Sequence, residues 1–374
     1  MAVDVKLDAV IIPHDHKVYK LFPGKDYKHY ARIRDEGVVF LDVQGLEELG
    51  TDHSKWSGDA LVTHIATDRV ARAVARGKPQ PSRLVRSPGD KATATFIQGL
   101  LFTAKRGDLV LVPDKGYGTD VLVGQLLDDP GQVVKVGGDL VGSPSYYGRK
   151  VKWIKGCRKG SFSNTLVKLL HSQAAFFDVG RSQYEEVYLK SFDDFVYDQQ
   201  FFATYRTSKK IFTPKDNFLT SVWMELLEVL ESSRSENDNL SDGSIYELVI
   251  DSNIADEDRD DLSISVQSPG WFRVRSIAAA PLAALALFAM AAQSVAYEDA
   301  ISATTSATVI AEADASCLGD VDASVKDYIV LLGKDRWEQA CVLVQRAKAQ
   351  AKLSAGATVL ERQEIGRPAD ASDE

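Results

Sequence analysis

The chain has 374 residues, 45% of them hydrophobic and 26% charged, which excludes a wholly disordered, collagenous or disulfide-stapled polypeptide and predicts two or three domains. The net charge of −9 is unevenly placed: residues 1–165 hold 25 Lys/Arg against 19 Asp/Glu, and residues 166–374 hold 19 against 34. A basic front and an acidic back predict two modules, of which the front suits an anionic partner.

Taken in chain order, Met1–Lys6 shows no secretory leader. Lys17–Leu21 alternates as a strand and ends in the turn Phe22-Pro23-Gly24. A short helix is expected over Tyr27–Arg34 and a strand over Val38–Val43. Asp59–Arg76 reads as a helix burying Leu61, Val62, Ile65, Val70 and Val74, with Arg69, Arg72 and Arg76 on another face. Ala92–Thr103 predicts a further helix. Leu109–Pro113 and Asp120–Leu127 predict a hairpin around a Gly-rich turn. Val133–Val136 and Arg149–Ile154 are expected strands, Ser163–His171 a helix capped by Ser163 or Asn164, and Ala174–Val179 a strand. The aromatic run Phe192–Tyr205 is expected to pack against this first module. Phe218–Leu230 is an amphipathic helix, and the polar stretch Ser232–Gly243 is expected to be a linker. Beyond it, strands are expected over Ile245–Ile250, Leu262–Val266 and Trp271–Val274, with an acidic loop at Asp256–Asp261. A long helix should span Arg336–Leu353.

Ser276–Tyr297 carries no charge, and ten of its 22 residues are Ala. A spanning helix needs about 20 strongly apolar residues. Ala contributes little transfer energy, and Pro281 marks a helix start, so a buried core helix is the expectation and a membrane segment the alternative.

Few constellations carry chemistry. No phosphate loop, nucleophile elbow or HExxH motif occurs. The widely spaced Cys157, Cys317 and Cys341 form no CxxC, which suits a reducing cytoplasm and offers no zinc set. His14-Asp15-His16 lacks a third and fourth ligand at supporting spacing and is expected to be a solvated loop, so neither metal nor cofactor is expected. Gln350-Ala351-Lys352 matches half of a nuclease motif, on an expected exposed helix with no strand beside it. Six cations fall within eleven positions: Arg149, Lys150, Lys152, Lys155, Arg158 and Lys159. Tyr146, Tyr147 and Trp153 interleave with them, a pattern suited to phosphates and bases. Alternation places Lys150 and Lys152 outward and Val151 and Trp153 inward.

The segments KVYKLFPG (Lys17–Gly24), Val38–Val43, RGDLVLVP (Arg106–Pro113), VLVGQL (Val121–Leu126) and RKVKWI (Arg149–Ile154) together resemble the PUA-like N-terminal module of Mrr-type restriction-system proteins, a module related to the EVE and PUA families. The resemblance covers about residues 15–180. It implies a small β-barrel that binds nucleic acid or a modified base and is fused to an effector. The back half departs from the family's common pattern in carrying no nuclease signature.

The expected architecture is therefore α+β. A PUA-like, partly open β-barrel with helical extension spans 1–231, a linker 232–243, an α+β domain 244–360 and a frayed tail 361–374. The expected function is a cytoplasmic nucleic-acid-binding component of a prokaryotic restriction or antiviral defence system. Its contacts to DNA or RNA, plain or modified, are expected from Arg69, Arg72, Arg76, Lys115, Tyr117, Tyr146, Tyr147, Arg149, Lys150 and Lys152, with Asp114 at the hairpin turn. A protein partner or second copy would engage the C-terminal domain, and no enzymatic step is assigned. The rival readings are a divergent nuclease using Asp251, Asp256, Asp258 and Asp260, and a membrane-acting effector using residues 277–297.

Overall fold

The computed structural model describes residues 3–44, 46, 56, 58–137, 145–236, 240, 243–251, 261–265, 270–309 and 316–361. Its secondary structure is mixed α+β, and the chain divides into two compact units. The division differs from the one the sequence suggests. Met1–His14 and Phe192–Glu374 form one unit, and Asp15–Ser191 form the other. The physical cause is β1 (Val3–Ile11), whose residues Val3, Val5, Leu7, Ala9 and Ile11 are buried on alternate positions. This strand finds its partners not in the next 180 residues but in strands that follow them.

Unit 15–191 contains β2 (Val18–Leu21), α1 (Tyr30–Glu36), β3 (Val38–Phe40), α2 (Gly58–Ala75), α3 (Pro88–Gln98), β4 (Leu109–Pro113), β5 (Asp120–Leu126), β6 (Val134–Gly137), β7 (Ser145–Arg158), α4 (Asn164–His171), β8 (Phe176–Asp178) and α5 (Tyr184–Ser191). The strands form a curled half-barrel sheet in the order β3-β7-β5-β4-β2-β8, with β6 also on β7. β4 is buried at all five positions; Val110 and Val112 join the core beneath α2 and α3, and α4 packs on the same strand. A strand covered on both faces reads as a continuous apolar run, which is how LVLVP appears. The helix starts are set by side chains. Ser87 and Asp90 make a reciprocal capping box on α3, and the Ser163 hydroxyl accepts from the Leu166 N–H on α4, as the sequence suggests. The expected apolar face of α2 is sealed at Leu61, Val62 and Ile65 but opens toward its C-terminus, where Val74 is exposed.

The second unit adds β9 (Phe195–Tyr197), β10 (Gln200–Thr207), α6 (Pro214–Glu236), α7 (Ile245–Asp251), β11 (Asp261–Ser265), β12 (Gly270–Ser276), α8 (Ala280–Ala292), α9 (Tyr297–Ile301), β13 (Thr304–Val309), α10 (Ser316–Arg346), β14 (Leu353–Ala355) and β15 (Ala357–Glu361). Its sheet runs β11-β12-β10-β9-β1-β13, with β14 on β10 and β15 on β1. β1 is parallel to β13 (Asp4↔Thr304) and β9 (Val10↔Phe195), and antiparallel to β15 (Val5↔Val359). α8 packs on this sheet and against α6 and α10, and is buried from Ala280 to Ala291. A helix apolar on every side belongs in a core. Among the described residues no helix is long and apolar enough to cross a membrane.

Several expectations are corrected here. The stretch expected as a linker at 232–243 continues α6 to Glu236, and Leu240 packs against the core. Ile245–Ile250 is a helix, not a strand: the Ser244 N–H donates to the Glu247 carboxylate (2.7 Å) and the Glu247 N–H to the Ser244 hydroxyl (3.3 Å). The aromatic run 192–205 belongs to the sheet of its own unit, with Phe195 and Phe202 stacked at 4.2 Å and Tyr205 edge-on to Phe288 at 5.6 Å. α10 starts at Ser316, well before Arg336, and breaks at Gly333, whose φ of 68° lies in the region open to glycine. The expected frayed tail lies, beyond Glu361, outside the described residues.

Candidate nucleic-acid interface

β7 is the longest strand of the 15–191 unit and carries the basic cluster. Lys150 and Lys152 are exposed while Val151 is buried, as strand alternation requires. Gly124 of β5 faces Trp153 and Val123 faces Lys155, so Ile154 is an inserted residue, a β-bulge. Without the bulge Lys155 would point to the opposite side; the insertion returns it to the side of Lys150 and Lys152. Gly124 is required at this position, because a Cβ would collide with the Val151 and Trp153 side chains. Three exposed ammonium groups thus share one side of one strand, about 6.6 Å apart at successive same-side positions. None has an ion-pair partner among the described residues. Trp153 is half-buried, and its indole N–H donates to the Arg34 carbonyl at 2.9 Å.

The other end of β7 meets the β4–β5 turn. Lys159, immediately after β7, is fully buried, and its ammonium donates to the Asp114 and Gly116 carbonyls, each at 2.5 Å. The Thr119 hydroxyl also donates to Gly116. This buried cation fixes a turn that carries exposed Lys115 and Tyr117. The Tyr117 ring is 70% exposed and lies 4.4 Å from the His171 ring at the end of α4. Burial and the charges of Lys159 and Lys20 hold His171 below the usual imidazole pKa, so it sets a neutral ring beside an exposed aromatic, tilted to it by 44°. Such a pair can accept a base by stacking.

Other expected contacts have different places. Arg149 is fully buried, and its guanidinium donates to the Leu100, Ala104 and Asp128 carbonyls. Gly99–Thr103 is a π-type turn, and Arg149 satisfies carbonyls there that a helix end leaves without partners. It is therefore corrected from ligand contact to core cation. Tyr146 is also buried, stacked on Phe40 at 5.0 Å and edge-on to His29 at 4.9 Å, with its hydroxyl accepting from Gln44; its ring has no free face for a base. Tyr147 is half-buried against Trp56. Arg69 forks onto Asp90 at 2.8 and 3.1 Å, Arg72 pairs with Asp68 on the preceding turn of α2, and Arg76 is exposed. The structure therefore groups Lys150, Lys152 and Lys155 on β7 and Lys115 and Tyr117 on the turn, but ties Arg69 and Arg72 into α2 and α3.

The basic cluster contains both kinds of lysine, and sequence spacing does not separate exposed Lys155 from buried Lys159. Lys20 is a second such case: it is fully buried, donates to the Ser172 and Ala174 carbonyls just beyond α4, and lies 4.9 Å from the centre of the Phe22 ring. Burial lowers its pKa to about 7.

No group of three or more metal-ligating side chains occurs among the described residues. His16 is buried rather than solvated: its Nδ1 lies 2.7 Å from the Tyr188 hydroxyl and its Nε2 3.0 Å from the Gly107 carbonyl. His14 pairs with Asp198 at 3.2 Å. Of the carboxylates in the nuclease alternative, Asp251 ends α7, and Asp256, Asp258 and Asp260 lie outside the described residues. Gln350 and Ala351 sit in a π-type turn, Lys352 is left-handed at φ 49°, and β14 follows directly. No protein-family model, curated protein or solved structure matches this chain.

Proposed function

We propose that residues 15–191 form a PUA-like module that binds DNA or RNA, plain or base-modified, as the recognition component of a prokaryotic restriction or antiviral defence system. The observation that carries the binding reading is the bulge in β7, which gathers on one side of a rigid strand three lysines that have no ion-pair partner among the described residues. Lys115 and Tyr117 on the Lys159-anchored turn supply a further cation and an exposed ring. Phosphate neutralisation would provide affinity, and the exposed ring of Tyr117, tilted at 44° beside His171, would offer a face on which a base can stack. The curled half-barrel sheet and the motif order over residues 15–180 support the family reading. The defence role rests on that resemblance alone.

The test is fluorescence anisotropy of the full chain with single-stranded and duplex DNA and RNA, with and without modified bases, across a salt series. The logarithm of affinity should fall linearly with the logarithm of salt, by roughly 0.7–0.9 per neutralised phosphate. The triple variant K150E/K152E/K155E should lose binding at least ~100-fold at low salt, while R69Q should bind within about twofold of the parent. Salt-independent affinity, or an unchanged affinity in the triple variant, would sink the proposal.

A further inference from the structure

The exposed face of α10 after Gly333 is a second surface with an internal logic. Between α7 and this part of α10 lies an open groove of about 490 Å³ whose walls include Tyr246, Asp335, Glu338, Val342 and Arg346. The four on α10 fall at i, i+3, i+7 and i+11, a single stripe along the helix. The stripe is acidic at its start, apolar at Val342 and basic at its end. Val342 is 49% exposed. Phe218 of α6 and Tyr246 of α7, stacked on each other with parallel rings, extend the apolar area beside it, and both are exposed.

Glu338 and Arg346 have no ion-pair partner among the described residues, and the helix itself gives them none. Eight residues separate them, about 12 Å along the axis at 1.5 Å per residue, beyond salt-bridge reach. They are, however, equidistant from Val342, four residues on either side. A two-fold axis through Val342 would lay the stripe antiparallel on its own copy. Val342 would then meet Val342, and each Glu338 would face the other copy's Arg346, twice. A two-fold interface requires such self-complementarity.

We propose that this face of α10 is a homodimer interface, with a second copy of the chain as its occupant. It is independent of the nucleic-acid proposal. A single helix face with flanking rings stands at the small end of stable interfaces, so association should be reversible and concentration-dependent, and the ion pairs should set the orientation.

The charges provide the test. Sedimentation velocity of the full chain should show a monomer–dimer equilibrium at up to ~100 µM, a range suited to a small interface. E338R places two arginines opposite each other and R346E two glutamates, so each variant should be monomeric by itself. Mixed in equal amounts, the two should form a heterodimer, because the arginine introduced in one copy then faces the glutamate introduced in the other. The double variant E338R/R346E should dimerise like the parent. Both substituted positions are exposed, and far-ultraviolet circular dichroism should confirm an unaltered fold. A parent that stays monomeric throughout the range, single variants that dimerise as the parent does, or a mixture that stays monomeric would each overturn the proposal.

Discussion

Arg149 and Lys150 are neighbours on β7 with opposite fates. One guanidinium is sealed against three carbonyls, and the other side chain's ammonium reaches water. Sequence alternation foretells which lysine points outward but not how far the opposite side is buried; a dense cationic stretch therefore overstates its own binding surface. Lys20 is the sharpest case. Its folded pKa of about 7 lies below the ordinary lysine value because burial disfavours the charge. Between pH 7 and about 10 the unfolded chain binds a proton that the folded chain does not, so stability should rise with pH across that window, on the order of 4 kcal/mol in all. Lys20→Met removes this dependence. Thermal melts at pH 7 and pH 9.5 should show the variant's stability relative to the parent declining as pH rises. An unchanged difference would mean that Lys20 is charged and well satisfied in the fold.

At the scale of elements, the row between β1 and β10 is shared. β9 fills one part and β14 with β15 the other. Asp194 and Gly356 meet where these segments abut. The Asp194 carboxylate accepts the Thr204 N–H at 2.6 Å, and a Cβ on Gly356 would collide with it. Burial, with Asp193 and Asp8 adding to it against the opposing Thr204 N–H and Arg273, raises the Asp194 pKa to about 7. The folded state then holds a proton that the unfolded state releases near pH 4. Its contribution is fully present below about pH 4 and is lost as pH rises to about 7. Asp194→Asn keeps an acceptor for Thr204 and cannot ionise. The variant should gain on the parent by several degrees in Tm between pH 5 and pH 8, a shift on the order of 4 kcal/mol at most. The same Tm difference at both pH values would rule out a protonated Asp194. The adjoining α7 shows a different kind of signal: Ser244-Ile245-Tyr246-Glu247 is a capping-box sequence, and it outweighs the apolar alternation that suggests a strand at Ile245–Ile250.

For the whole molecule, the 15–191 unit is an insertion between β1 and β9. Those two strands pair side by side at Val10↔Phe195 and Ile11↔Val196, so the chain leaves and re-enters one unit at neighbouring points. Within the other unit, His16 near the entry bonds Tyr188 near the exit, so its two ends are also close. Adjacent termini make excision feasible. Residues 15–191 should fold alone with a cooperative melt, and so should a chain in which a short Gly/Ser linker replaces them. A fragment cut at 231/232 instead leaves β1, β9 and β10 without β12–β15 and should be recovered aggregated. A soluble, cooperatively melting 1–231 fragment would disprove this division.

Local elements were largely legible without a structure. The hairpin of β4 and β5, the Ser163 cap, the Pro281 helix start and the alternation of Lys150 and Lys152 each depend on side chains a few residues apart, whose preferences act whatever the rest of the chain does. β1 is an exception: no strand is expected over Val3–Ile11 from the sequence, and its alternation at Val3, Val5, Leu7, Ala9 and Ile11 does not name a partner. Tertiary structure decided which charges were buried, where the β7 bulge fell and which distant strands closed the sheet around β1. Those outcomes depend on register and on burial beneath segments far away in sequence. The energies that settle them come from contacts that no local window of residues contains.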